Sequence, residues 1–303
     1  MTDEERRGLR IAIVGAGPGG LCMGIQLKAA GFEDFVILEK NAGVGGTWYH
    51  NRYPGCACDI PAALYSYSFE LNPSWSGPYP PQAEILAYLE HCADKYGLYP
   101  HCRFDDGVRR AVWDEEAARW SLSLDSGETI EADVMVSAVG MFSELNYPTI
   151  QGLEDFAGAC FHSSRWDWDH DLAGKRVGVI GSAASAIQFV PEIVKQASQV
   201  HLFQRTANWV LPKEDAPYTD EVLEHFRTDP EAPLAVRTEI FNTLDAGGAG
   251  AFGAIRSQME AACLSNLDQV EDPDLRSRLV PDHPWGCKRP LLSSHYYPAF
   301  NRP

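Results

Sequence analysis

Two glycine-rich turns hold most of the chemistry this chain could carry. Gly15, Gly17 and Gly20 form Gly-x-Gly-x-x-Gly between an apolar run, 10–14, and a helix-like stretch, 21–30. In that setting the first glycine permits a tight turn. The second lets the backbone approach a pyrophosphate, and the third lets helix and strand pack closely. The helix start then offers free N–H groups and partial positive charge to the phosphates. Glu39 ends the next strand-like run, 34–39. A carboxylate at that point accepts hydrogen bonds from ribose hydroxyls. The plain alternative is an ordinary turn followed by a solvated glutamate, but the order strand, turn, helix, strand, acid argues against it.

The pattern recurs at Gly181-Ser182-Ala183-Ala184-Ser185-Ala186, after the strand-like run 176–180. Ala186 is acceptable at the third glycine position, whereas Ala183 adds a methyl at the second, where backbone and phosphate should meet. The following run, 199–204, leads into Arg205 and Thr206, and Arg205 has the same offset from Gly181 as Glu39 has from Gly15. An acid there holds a free 2′-hydroxyl, and an arginine accommodates a 2′-phosphate. The first turn therefore suits FAD (or NAD) and the second NADP. Two such sites imply hydride passing from nicotinamide to flavin, and from flavin to oxygen or a disulfide. Disulfide reductases carry a redox cysteine pair soon after the first unit. Here that segment reads Gly45-Gly46-Thr47-Trp48-Tyr49, with Trp where the first cysteine would stand, which points to oxygen.

These turns need two βαβ units to hold them. The predicted fold class is α/β, with two Rossmann-like dinucleotide-binding domains, 1–150 for FAD and 151–303 for NADP. A charged helical insertion spans about 214–280, with a Gly-Ala-rich break at 246–253. The first unit continues through a long aromatic and Pro/Gly-rich loop, 41–81, of a length that is more often functional than idle. After it come a helix over 83–96 and short strands at 108–113, 120–124 and 129–131. A further strand, 133–138, reads as buried from its apolar character. The net charge of −17 argues against a nucleic-acid or anionic-membrane partner. A polar N-terminus, the lack of a long apolar run and eight scattered cysteines read as reduced point to the cytoplasm. Cys56-x-Cys58 alone is a poor zinc signal, and no metal is expected.

A more specific pattern lies between the two units. Phe156, Gly158, His162, Trp166 and Asp167 fit Phe-x-Gly-x-x-x-His-x-x-x-Trp-(Pro/Asp). In this fingerprint the chain resembles the type I Baeyer–Villiger monooxygenases. The related N- and S-oxygenating flavin monooxygenases end a similar pattern in Tyr. The likeness continues through Thr47-Trp48, Asn51–Gly55, Asp59, Gln204-Arg205-Thr206, Lys288-Arg289-Pro290 and Asn301-Arg302-Pro303. It implies FAD and NADPH as cofactors and oxygen and a small ketone as substrates. It further implies a C4a-peroxyflavin route to an ester or lactone. On the same resemblance, Lys288 joins Arg205 at the 2′-phosphate, and Arg289, held by Asp59, stabilises the peroxide. His162 belongs to the fingerprint. Without the likeness, Lys288, Arg289 and Asp59 read as solvated surface charges. Family members continue beyond the point matching Pro303, so a C-terminal return to the flavin domain is expected to be missing. An N- or S-oxygenating enzyme and an inactive nucleotide-binding fragment remain as other readings.

Overall fold

The computed structural model describes residues 8–246 and 252–302. The chain divides into two compact units. One takes the chain up to Arg52 together with Ala83–Phe156, and the other takes Tyr53–Gln82 together with the chain from Ala157 onward. The first unit ends at Phe156. The long loop, however, is shared out: its second half, from Tyr53, groups with the second unit.

The first unit is built on strand β1 (Ile11–Val14), helix α1 (Pro18–Ala29) and strand β2 (Phe35–Leu38). The short helix α2 (Thr47–His50) follows, and then α3 (Gln82–Lys95), which begins at the last residue of the second unit. Strands β3 (Cys102–Arg103), β4 (Val108–Asp114), β5 (Arg119–Leu124), β6 (Thr129–Ala132) and β7 (Val134–Ser137) complete it. A parallel sheet of order β3-β2-β1-β7 carries the Gly-rich turn at its centre, with Ile11–Val14 in register with Phe35–Leu38 on one side and Val134–Ser137 on the other. An antiparallel sheet, β4-β5-β6, packs on one face through a core of Ala12, Leu38, Leu122, Leu124 and Ala132. The apolar run 133–138 does form a strand, but not a buried one, because β7 is the outer strand of its sheet and Val134 remains 40% exposed.

The second unit repeats the opening with β8 (Arg176–Ile180), α4 (Ala184–Ile193) and β9 (Gln199–Phe203), the two strands parallel from Arg176↔Gln199 to Ile180↔Phe203. Strand β10 (Val210–Leu211) follows. Helices α5 (Asp220–Thr228), α6 (Ala232–Ala246), α7 (Phe252–Leu267) and α8 (Pro273–Arg278) make the insertion. Most of the Gly-Ala-rich break, residues 247–251, lies outside the described residues. Strand β11 (Leu291–Leu292) then returns to pair in parallel with β10. That pairing of residues 81 apart was not visible in the sequence, since two-residue strands carry no periodicity. No helix of the described residues is long and apolar enough to cross a membrane.

Candidate active site

The first Gly-rich turn has the shape its sequence demands. Gly15 has φ +106°, and a Cβ there would lie 2.5 Å from the backbone oxygen of Ala138. At Gly20 a Cβ would fall 1.9 Å from the oxygen of Gly15. Gly17 is different. It caps α1 with φ −76°, a conformation open to any residue, and a Cβ would meet only the Gly46 backbone, its Cα at 3.5 Å and its nitrogen at 4.0 Å. The protein's own packing thus does not require glycine at 17. The open space suits a ligand's phosphates, and no side chain caps the α1 N-terminus.

Glu39 is buried, 5% exposed, and holds the turn directly. Its Oε2 accepts from the Ala16 N–H at 2.8 Å, and its Oε1 accepts from the Asn41 N–H at 3.0 Å and from the Asn41 side-chain amide. An ionised carboxylate has about four acceptor directions, so it can shape the turn and still accept a ribose hydroxyl. Asn41 was not singled out from the sequence, because its role depends on a contact that only the turn creates. Thr47 is exposed at the start of α2, whereas Trp48 is buried. The residues of this unit fit an FAD pyrophosphate and ribose.

In the second unit Gly181 has φ +104°, matching Gly15. Ala183 caps α4 with φ −82° and ψ −169°, close to the φ −76° and ψ −176° of Gly17, so the backbone shape survives the added methyl. Ser182 is buried, with its carbonyl and hydroxyl oxygens accepting from Asn208 Nδ2 at 2.8 and 3.2 Å. Arg205 lies on the wall of a cleft of about 580 Å³ just beyond the last residues of β8 and β9, Ile180 and Phe203. Thr206 is half-buried. Lys288 is exposed and is not among the residues lining this cleft, whereas Arg278, which sequence reasoning missed, is. Open ends of parallel strands beside a cation fit the phosphates of NADP.

The fingerprint residues do mechanical work. His162 caps the 3-10 turn Ser163–Arg165, and its Nδ1 accepts the Ser164 N–H at 3.1 Å. A nitrogen that accepts an N–H carries no proton, so the neutral ring has its hydrogen on Nε2. Burial, aided by Arg165, lowers its pKa and favours that neutral form. Trp166 packs on Phe189 of α4, with ring centroids 5.3 Å apart, and Phe189 meets Tyr53 edge-on at 5.9 Å. Tyr53 OH donates to Gln188 Oε1 at 2.9 Å, and Gln188 Nε2 donates to the Ala57 carbonyl at 3.0 Å. The His-x-x-x-Trp element is thereby tied through α4 to the loop that carries Asp59.

Asp59 and Arg289 meet, 230 residues apart in sequence, with Arg289 Nη2 donating to Asp59 Oδ2. The β10–β11 pairing sets this contact. Leu291 N–H donates to the Trp209 carbonyl at 2.9 Å, and buried Asn266 of α7 donates to the carbonyls of Val210 and Ser293, both at 3.1 Å. Beneath it lies Lys213, only 8% exposed. Its Nζ donates to the Cys58 carbonyl at 3.2 Å and sits 4.7 Å from the Tyr79 ring centroid. Burial lowers its pKa, against the opposing pull of Asp215 and Asp59. Asp59 is thus ion-paired with Arg289 and interacts electrostatically with Lys213. Since the Arg289 side chain is 61% exposed, the ion pair adds little to stability. Its consequence is a guanidinium fixed in direction.

Cys56 and Cys58, the nearest cysteine pair, are free and buried. Burial pushes both thiols up to about 11. At pH 8 only about one in a thousand of either is thiolate, the form that attacks disulfides. Alkylation at pH 8 should label the exposed Cys160 and Cys287 first, with Cys56 and Cys58 at least tenfold slower by peptide mass mapping. Fast labelling of Cys56 or Cys58 would restore disulfide chemistry as a reading.

Comparison with known proteins agrees with this geometry. A family model described as pyridine nucleotide-disulphide oxidoreductase matches residues 12–229. A Baeyer–Villiger monooxygenase of Streptomyces coelicolor is 45% identical over 100% of this chain and 59% of its own length. Among solved structures, an oxidised steroid monooxygenase bound to NADP aligns with a TM-score of 0.84 and 35% identity, over 97% of this chain and 64% of that one. OTEMO in complex with FAD and NADP aligns at 0.84 and 29%, over 98% and 64%. The chain therefore spans about three fifths of the length of these relatives. With its two glycine-rich turns, its His-x-x-x-Trp fingerprint and these relatives, the chain belongs to the pyridine nucleotide-disulphide oxidoreductase family and, within it, is a homologue of the Baeyer–Villiger monooxygenases.

Proposed function

We propose that this chain carries the cofactor-binding and oxygen-handling parts of an NADPH- and FAD-dependent monooxygenase that converts a ketone to an ester or lactone. The balance is ketone, O2, NADPH and a proton giving ester, water and NADP+. The observation that carries the reading is the Asp59–Arg289 pair, a directed positive charge in the fingerprint-bearing unit. The relatives, in solved complexes with NADP or with FAD and NADP, support the cofactor choice.

When bound, the flavin takes hydride from NADPH and activates oxygen. The chain's residues do the rest. The 15–20 turn and the α1 N-terminus hold the FAD pyrophosphate, and Glu39 holds its ribose. The 181–186 turn holds the NADPH pyrophosphate, with Arg205 at the 2′-phosphate. The Arg289 guanidinium offsets negative charge developing on activated oxygen. Asp59 keeps the guanidinium aimed, and His162 and Trp166 hold the loop that bears Asp59.

Holoenzyme supplied with NADPH and an equal mixture of a cyclic ketone and a thioether tests the proposal. Lactone as a main product supports it. Sulfoxide without lactone would overturn it in favour of an S-oxygenating enzyme.

A further inference from the structure

The cleft beyond β8 and β9 has two walls. One is the strand ends, with Ile180, Phe203, Gln204 and Arg205. The other comes from the helical insertion and the chain beyond it, with Leu275, Arg278, Leu279 and Phe300. Each wall contributes one guanidinium. Among the described residues, neither Arg205 nor Arg278 has a hydrogen-bond or ion-pair partner, although the chain carries 42 acidic residues against 25 basic ones. Arg276, one turn-half earlier on the same helix, shows the contrast. Its Nε donates to the Val270 carbonyl at 2.8 Å, and its Nη1 pairs with Asp268 at 3.4 Å. Arg276 is consumed in closing the helix start, and Arg278 is left facing the cleft.

An acidic protein that leaves two arginines unpaired across one cavity has built an anion site there. The volume, about 580 Å³, is in the range of small-ligand pockets, and the apolar side chains of Phe203, Leu275 and Phe300 offer a surface for a flat base. We infer that Arg278 is a second 2′-phosphate-binding residue, closing over the adenosine end of NADPH from the insertion while Arg205 reaches it from the strand end. The inference rests on the reading that the second unit takes NADPH. It assigns the insertion a part in cofactor choice, since a guanidinium on each side of a phosphate selects the phosphorylated ribose twice over.

Calorimetric titration of the 303-residue chain with 2′,5′-ADP and with 5′-AMP tests it without turnover. Wild type should bind 2′,5′-ADP more than tenfold tighter than 5′-AMP. Because Arg278 is exposed, Arg278→Ala should melt within a degree or two of wild type. It should bind 2′,5′-ADP about tenfold more weakly, by loss of a charge-assisted contact, and 5′-AMP within about twofold of wild type. Arg278→Lys should recover part of the loss. If Arg205→Ala weakens 2′,5′-ADP binding and Arg278→Ala does not, the role of Arg278 is refuted while the NADPH reading stands. If Arg278→Ala weakens both ligands equally, Arg278 contacts the nucleoside rather than the 2′-phosphate, and the inference fails. If wild type binds the two ligands equally, the NADPH reading itself fails.

Discussion

Arg289→Ala in the holoenzyme should separate the two halves of the reaction. Bleaching of the flavin by NADPH without oxygen should stay within about threefold of wild type, because the nucleotide cradles are built from other residues. Ester or lactone formation should fall by about 10²–10³-fold, the usual cost of removing one preorganised group that stabilises developing negative charge. NADPH would still be consumed, with hydrogen peroxide as the product. Stopped-flow absorbance, peroxide assay and product chromatography read the three quantities together. Asp59→Ala should move them in the same direction by a smaller factor, because it frees the guanidinium without removing it. Because the Arg289 side chain is 61% exposed, Arg289→Ala should hardly change thermal stability. Wild-type ester yield in Arg289→Ala would refute the role given to this residue.

Gly15→Ala and Gly181→Ala should differ sharply despite nearly equal φ angles. The two residues have φ +106° and +104°, so each alanine would suffer the same left-handed strain, about 1–3 kcal/mol. At Gly15 the new methyl would also press to 2.5 Å against the Ala138 carbonyl, backbone held in the sheet by β1–β7 pairing. At Gly181 it would meet nothing within 4 Å. Gly15→Ala should therefore lose several kcal/mol of stability and all FAD retention, and Gly181→Ala about 1–3 kcal/mol with its fold intact. Denaturant unfolding and bound-flavin absorbance measure the contrast. Equal destabilisation by the two substitutions would contradict the close contact at Ala138.

Much of this was readable along the chain because its determinants are local. A glycine-rich turn between a strand and a helix needs about ten consecutive residues, and Glu39 and Arg205 follow at one fixed offset. The fold class and both glycine-rich turns follow from such windows. The exposure of β7 did not, because apolar content reports a strand's preference for a sheet and not its place at the edge of one. The likeness to the Baeyer–Villiger family pointed to Asp59 and Arg289 as partners, but no local pattern could bring them together.

Residue types and spacing determined that the chain makes two glycine-rich strand–turn–helix units, one followed by a carboxylate and one by a guanidinium. Tertiary structure alone decided what faces what within each unit. It brought Arg289 to Asp59 through the β10–β11 pairing, seated Lys213 on the Cys58 carbonyl, anchored Glu39 to its own turn, and set Arg278 rather than Lys288 on the cleft wall opposite Arg205. The reason is physical. A turn is specified by the φ, ψ and hydrogen-bonding options of a few adjacent residues, whereas a charge reaches its partner across 230 positions only after the core has packed and the strands have found their register.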